Sequence, residues 1–160
     1  MKTVLEKFEQ YFTGLILIAI TFILFANVVL RFFGISLEWA EEVARYGIIW
    51  VTFIGGSICI YKGGHIRVDA IAFFLSDRGK KILELIVIVF SFVLMLALIY
   101  QSSKLSIRAL ETNQLSSTLE VQMFFIYLAM PIGGVLMSIR YIQSFIQTLR
   151  EIKELKGATE

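Results

Sequence analysis

One cysteine, one histidine and one proline in 160 residues set the first limits on this chain. Cys59 alone closes no intrachain disulfide and has no second thiol for a redox relay. Set in an apolar stretch, it reads as a buried packing residue. His65 alone supplies no bis-histidine haem ligation, and His65 with Asp69 gives two candidate ligands where metal sites take three or four. On chemistry alone that pair could work as a metal or acid–base pair; a structural or interface role outweighs it, and no cofactor, metal or catalytic residue is expected. Charged residues make up only 18% of the chain, and the centres of its long apolar runs hold no Asp, Glu or Lys. That removes the usual proton-relay or ion-coupling residue. There is no repeat, low-complexity segment or Gly/Ser/Pro-rich linker to mark a second domain. The net charge of +2 is small, and the basic residues sit at the ends of the apolar runs, so a nucleic-acid partner has no support.

What is present is lipid-compatible surface. Apolar residues make up 58% of the chain and the mean hydropathy is +0.78. A hydrocarbon core of about 30 Å takes roughly 20 apolar residues of helix, and four such runs lie at about 11–30, 43–61, 82–100 and 121–139. The fold class is therefore all-α integral membrane, with four transmembrane helices in one compact bundle of residues 1–160. Lys2 and Lys7 precede the first run as in a secretion signal, but the run is too long and has no small-x-small cleavage site, so it is expected to stay as a signal anchor. Arg31 and Gly34 suit the end of that helix, and Ser36 offers an N-cap to the next, whose first turns carry Glu38, Glu41 and Glu42. Within the polar connection 62–81, residues 69–75 are too short to cross and read as an interfacial helix with Phe73 and Phe74 against the acyl boundary. Span three is open to extension through 101–109, where Lys104 and Arg108 are four apart. Pro131, followed by Gly133 and Gly134, predicts a kink or a close helix approach in span four.

Lys and Arg set the orientation. Eleven of the fifteen lie in the N-terminal segment, the middle loop and the segment from Arg140 onward; the positive-inside rule then places both termini in the cytoplasm. At the opposite end, Glu38, Glu41, Glu42 and Arg45 start span two beside Trp39, Tyr46 and Trp50, and Glu41 has the i,i+4 spacing to pair with Arg45. At headgroup level this group is a solvated helix start with a salt bridge; deeper, it is a partner-facing surface. Asn27, Ser57, Thr21, Thr52 and Ser91 are expected to make helix–helix hydrogen bonds rather than line a substrate path. A small homo-oligomeric four-helix exporter needs an embedded acid that the first span lacks, and a haem or thiol enzyme needs His or Cys pairs.

The pieces Trp39-Ala40-Glu41-Glu42-Val43-Ala44-Arg45, Trp50, Gly55 and Gly64-His65-Ile66-Arg67-Val68-Asp69, with Pro131-Ile132-Gly133 and Arg140 in span four, resemble the small membrane (Q, DctQ-like) subunit of tripartite ATP-independent periplasmic (TRAP) transporters. The resemblance covers nearly the whole chain. It implies a partner, the large multi-span M-type subunit, which carries the substrate and sodium sites while the small subunit braces it. It further implies a periplasmic substrate-binding protein, sodium-coupled uptake of an organic acid, and residence in the bacterial cytoplasmic (inner) membrane. Carried onto this chain, Trp39, Glu41, Glu42 and Arg45 would position span two at the periplasmic surface and meet a partner. His65 and Asp69 would fix the cytoplasmic turn, with Trp50, Gly55 and Pro131 completing the interface and positioning set.

Overall fold

A computed structural model of the protein describes residues 4–62 and 77–157. They form α1 (Val4–Phe32), α2 (Glu38–Lys62), α3 (Asp77–Glu111), the single turn and a half of α4 (Met123–Tyr127), and α5 (Ala129–Gly157). Four stretches are long and apolar enough to cross a bilayer: Lys7–Phe32, Glu38–Ile60, Gly79–Glu111 and Met123–Lys153, the last made by α4 and α5 together. The chain is a multi-pass membrane protein. The expected interfacial helix at 69–75, with His65 and Asp69, lies outside the described residues.

The helices pack as a row. α1 lies along α2, α2 along α5 and α5 along α3, so α1 and α3 form the two edges. This is more open than a compact bundle. Of the most apolar window in α1, α2 and α3, 11%, 17% and 6% is buried, against 39% in the fourth span, which sits between its neighbours. Small residues allow the close contacts. A Cβ on Gly133 would lie 2.5 Å from Phe53 Cβ and 2.8 Å from the Phe53 carbonyl oxygen, so α5 meets the backbone of α2 there. On its other flank a Cβ on Gly134 would come within 2.8 Å of Ile99 in α3.

The helix ends follow from local chemistry. After α1, Gly34 takes φ +80°; its N–H donates to Arg31 O at 3.1 Å and the Ile35 N–H to Leu30 O at 3.1 Å, a pair of reversed bonds that satisfies the last carbonyls of a helix. Asn113 repeats the device after α3 with φ 47°, donating to Leu110 O, while Gln114 N–H donates to Ala109 O. The extension of span three through 101–109 is thus helical. Ser36, by contrast, does not cap α2. The buried Asn27 of α1 does that work across the turn, its Oδ1 accepting the Leu37 N–H at 2.9 Å. Pro131 has no N–H to donate to Tyr127 O, and its ring crowds that carbonyl; the regular helical bonding lapses between α4 and α5, while Leu128 keeps helical dihedrals and its N–H still donates to Phe124 O.

Two expectations about side chains need correction. Cys59 is exposed, not buried: an apolar thiol is as compatible with acyl chains as with a helix interface, so its sequence setting does not distinguish them. Of the polar residues in the spans, Asn27 and Ser57 bond to another segment, whereas Thr21 and Thr52 are exposed and donate to their own helix at Leu17 O and Ile48 O.

Candidate functional site: polar braces and outward-facing surfaces

At the end of the molecule carrying the α1–α2 and α3–α4 connections, Glu42 joins α2 to the second of these. That connection closes on itself: Ser116 N–H donates to Val121 O at 2.9 Å, and Met123 N–H to Gln114 O at 2.9 Å. Its tip then presents three successive backbone N–H groups. Ser117 donates to Glu42 Oε1 at 3.1 Å, and Thr118 and Leu119 to Oε2 at 3.0 and 2.8 Å. Such a concave run of amides is a natural anion site, here filled by the chain's own carboxylate. The Tyr46 hydroxyl donates to the same Oε1, and its oxygen lies 3.7 Å from Met123 Sδ. Glu42 is buried, whereas Glu41 and Arg45, on the same turn and a half of helix, are exposed, as is Trp39 at 41%. The expected Glu41–Arg45 pair is not among the ion pairs of the described residues.

Removing the Glu42 carboxylate should free the loop without unfolding the helices. With Glu42→Ala, hydrogen–deuterium exchange in segment 113–122 is expected to speed up by roughly tenfold or more, the scale of losing bonds to a charged acceptor. Glu41→Ala should leave it unchanged. Equal exchange in the two variants would contradict the brace.

At the end carrying both termini lies a second brace. Glu9 and Arg140 are 1% and 2% exposed and pair at 3.3 Å, Arg140 Nη2 to Glu9 Oε2. Ser57 Oγ donates to Glu9 Oε1 at 3.2 Å, and Arg140 Nη1 donates to Gln143 Oε1 at 3.2 Å. Three helices, α1, α2 and α5, therefore share one carboxylate. Farther along α5, Lys81 of α3 pairs with Glu84 at 3.1 Å and with Glu151, while the buried Thr148 donates to Glu84 Oε1 at 3.4 Å. Sequence reasoning began the first span at about residue 11 without singling out Glu9, and took Arg140 as the basic residue of span four that opens the C-terminal segment. The signal was there in the spacing. Glu9, Thr13, Ile16, Ile20 and Asn27 recur along one face of α1, and that face meets α2.

The remaining expected positions are scattered. Trp50 stacks edge-on against Phe12 of α1, with centroids 6.4 Å apart. Gly55 faces Thr13, where a Cβ would make an ordinary 3.7 Å contact. Pro131 lines an apolar groove between α3 and α5. Among the described residues no group of three His, Cys, Asp or Glu could hold a metal. The polar side chains hold helices and loops together, and long apolar faces point outward.

That combination is what a membrane-embedded helical component presents, to lipid or to another chain. Residues 20–151 match the family described as tripartite ATP-independent periplasmic transporters, DctQ component, and the chain belongs to that family. It is a small permease subunit, a part of a transporter rather than an enzyme. It is 30% identical over 148 residues to the ectoine TRAP transporter small permease protein TeaB of Halomonas elongata, covering 92% of this chain and 77% of that one. It is similarly 30% identical over 151 residues to the isethionate TRAP transporter permease protein DctMQ of Oleidesulfovibrio alaskensis, covering 90% of this chain but spanning only 24% of that protein. With the sialic acid TRAP transporter permease protein SiaT of Haemophilus influenzae the identity is 27% over 145 residues, 88% of this chain and 23% of the relative.

Proposed function

We propose that this chain is the fixed brace of a sodium-coupled importer of an organic acid. In this reading it holds the large multi-span transport subunit steady while that subunit moves and a periplasmic binding protein delivers the substrate. The observation that carries the reading is the row of helices. It leaves most of three spans uncovered by the chain itself, while the buried carboxylates of Glu9 and Glu42 are held by partners within the chain near its two ends and the span centres carry no Asp, Glu or Lys. A surface of that kind acts through packing and anchoring. The long relatives, of which this chain spans about a quarter, fit a partner carried in the same polypeptide. The compounds those relatives are named for, isethionate and sialic acid, support an organic acid as the cargo.

The same reading puts both termini in the cytoplasm, the Glu42 loop on the periplasmic side and the chain in the bacterial inner membrane. Trp39, Glu41 and Arg45, pointing outward beside the loop, are then placed to meet a partner at the periplasmic surface. Co-purification through a tag on this chain, from native membranes in mild detergent, should retain a much larger multi-span protein. Recovery of a homo-oligomer alone would overturn the reading.

A further inference from the structure

The apolar runs of the two edge helices are out of step, and contacts across the row fix their relative height. A Cβ on Gly55 of α2 would meet Thr13 of α1, one on the neighbouring Gly56 would meet Met137 of α5, and one on Gly134, a turn before Met137, would meet Ile99 of α3. The Thr148–Glu84 bond continues the same α3–α5 alignment farther along, so α3 passes Met137 at about residue 96. Thr13 lies at the opening of the α1 run, 11–30, whereas residue 96 lies near the close of the α3 run, 82–100. Both helices point the same way. The α3 run is therefore displaced by about 12 residues, or roughly 18 Å at 1.5 Å per residue, toward the end carrying the termini.

An upright row cannot satisfy both edges. With the hydrocarbon set on 11–30, the exposed Lys104 and Arg108 stand inside it, which is costly, and the exposed Ile82, Ile86 and Phe90 face water. With it set on 82–100, the exposed Phe22 and Phe25 face water instead. Neither run can be given up: Gly79–Glu111 holds the most apolar window of the four and Lys7–Phe32 the next, and stretches of that length and character partition into a bilayer. Tilting resolves the conflict. The row has three steps of about 8–10 Å between α1, α2, α5 and α3, so a lean of roughly 35° in its own plane brings both runs to one height. At that lean a core of about 30 Å takes about 24 residues of helix instead of 20, and the spans have 26, 23, 33 and 31. α5 fits as well, because Arg140 turns inward and the outward Ile142, Ile146 and Leu149 carry apolar surface on to the exposed Arg150.

We propose that the row crosses the bilayer leaning by roughly 35° in its own plane, so that its lipid-covered band is slanted, from 11–30 on the α1 edge to 82–100 on the α3 edge. Lys81 and Lys104 then stand at the two headgroup layers, where long basic side chains anchor a tilted span. Beyond Tyr100, the last turns of α3 and the loop held by Glu42 rise clear of the acyl chains. The lean concerns lipid alone and holds whichever partner the chain braces.

The test places a bimane label on a single cysteine of the full-length chain, at Ile86→Cys or Phe25→Cys, with Cys59→Ser as background because Cys59 is exposed. Set on either run, an upright row leaves the label on the other edge about 12 Å outside the hydrocarbon; set midway, it leaves both at the water boundary. In phosphatidylcholine vesicles both labels should lose most of their emission when the acyl chains are brominated and keep it against aqueous iodide. Quenching by iodide at either site would overturn the lean. A label that neither quencher reaches would overturn the lipid surface in favour of a protein cover. Val89→Cys and Phe22→Cys, also exposed positions on the two edges, repeat the comparison if a first variant fails to fold. Retention of a large subunit tests the brace reading separately and is untouched by these outcomes.

Discussion

Arg140→Ala is expected to destabilise the folded chain by about 3–5 kcal/mol, the cost of leaving one member of a buried ion pair without its partner. Glu9 and Arg140 are almost fully enclosed, and the carboxylate abandoned by the substitution keeps the Ser57 hydroxyl as its donor among the described residues. Glu9→Ala should also destabilise, because it takes the carboxylate from the buried guanidinium, and by less than Arg140→Ala, since Gln143 still accepts from Arg140 Nη1. The double variant Glu9→Leu/Arg140→Leu should cost far less than the sum of the two, since replacing a buried pair by apolar groups is often close to neutral. Denaturant unfolding in detergent, followed by circular dichroism, gives all three values. Additive losses would show that the two residues act independently, and single losses below about 0.5 kcal/mol, the level of surface substitutions, would show that the pair is not a brace. The brace matters because it is polar and lies at one end: it fixes α1, an edge helix, to α2 and α5 together.

Gly133→Leu should have an effect at least as large, by a different route. Even the first carbon of the new side chain falls 2.8–2.9 Å from the Phe53 carbonyl, which is backbone and has nowhere to move within its helix. α2 and α5 would have to separate, and overpacking of this sort costs about 1–3 kcal/mol for small additions and more for large ones. Loss of the folded, monodisperse species on size exclusion is the expected outcome. Gly14→Leu is the control, because nothing lies within 4 Å of a Cβ there. If both variants fold alike, the close α2–α5 crossing is wrong. Gly56→Ala should be milder than Gly133→Ala, as its nearest neighbour is the flexible end of Met137.

Much of the fold was legible in the sequence because membrane helices obey simple local rules. Span length, the glycine after α1 and the proline in the fourth span each act through a few neighbouring residues. The Pro131 region shows the limit. The sequence called for a kink or a close approach, and the structure has the close approach, a backbone contact at Gly133, with helical dihedrals kept at Leu128; the identity of the neighbour, Phe53, is a matter of how α5 crosses α2. The candidate residues in α2 divided in the same way. Four were grouped by proximity in the chain, yet Glu42 turns inward to the loop while Trp39, Glu41 and Arg45 face out.

What the sequence by itself determined was that this chain lives in lipid as four helices and which family it resembles. Both follow from composition and short motifs that do not depend on how the helices meet. Only the tertiary structure decided which polar groups are partners: Glu9 and Arg140 are 131 residues apart and Glu42 and Leu119 are 77 apart. It also decided that Cys59 faces outward and that the helices stand in an open row. The physical reason is common to all of these. Hydropathy reports compatibility with an apolar surrounding, and a neighbouring helix and an acyl chain are nearly the same surrounding; the choice between them is made by helix crossings, which small residues permit and buried polar pairs fix.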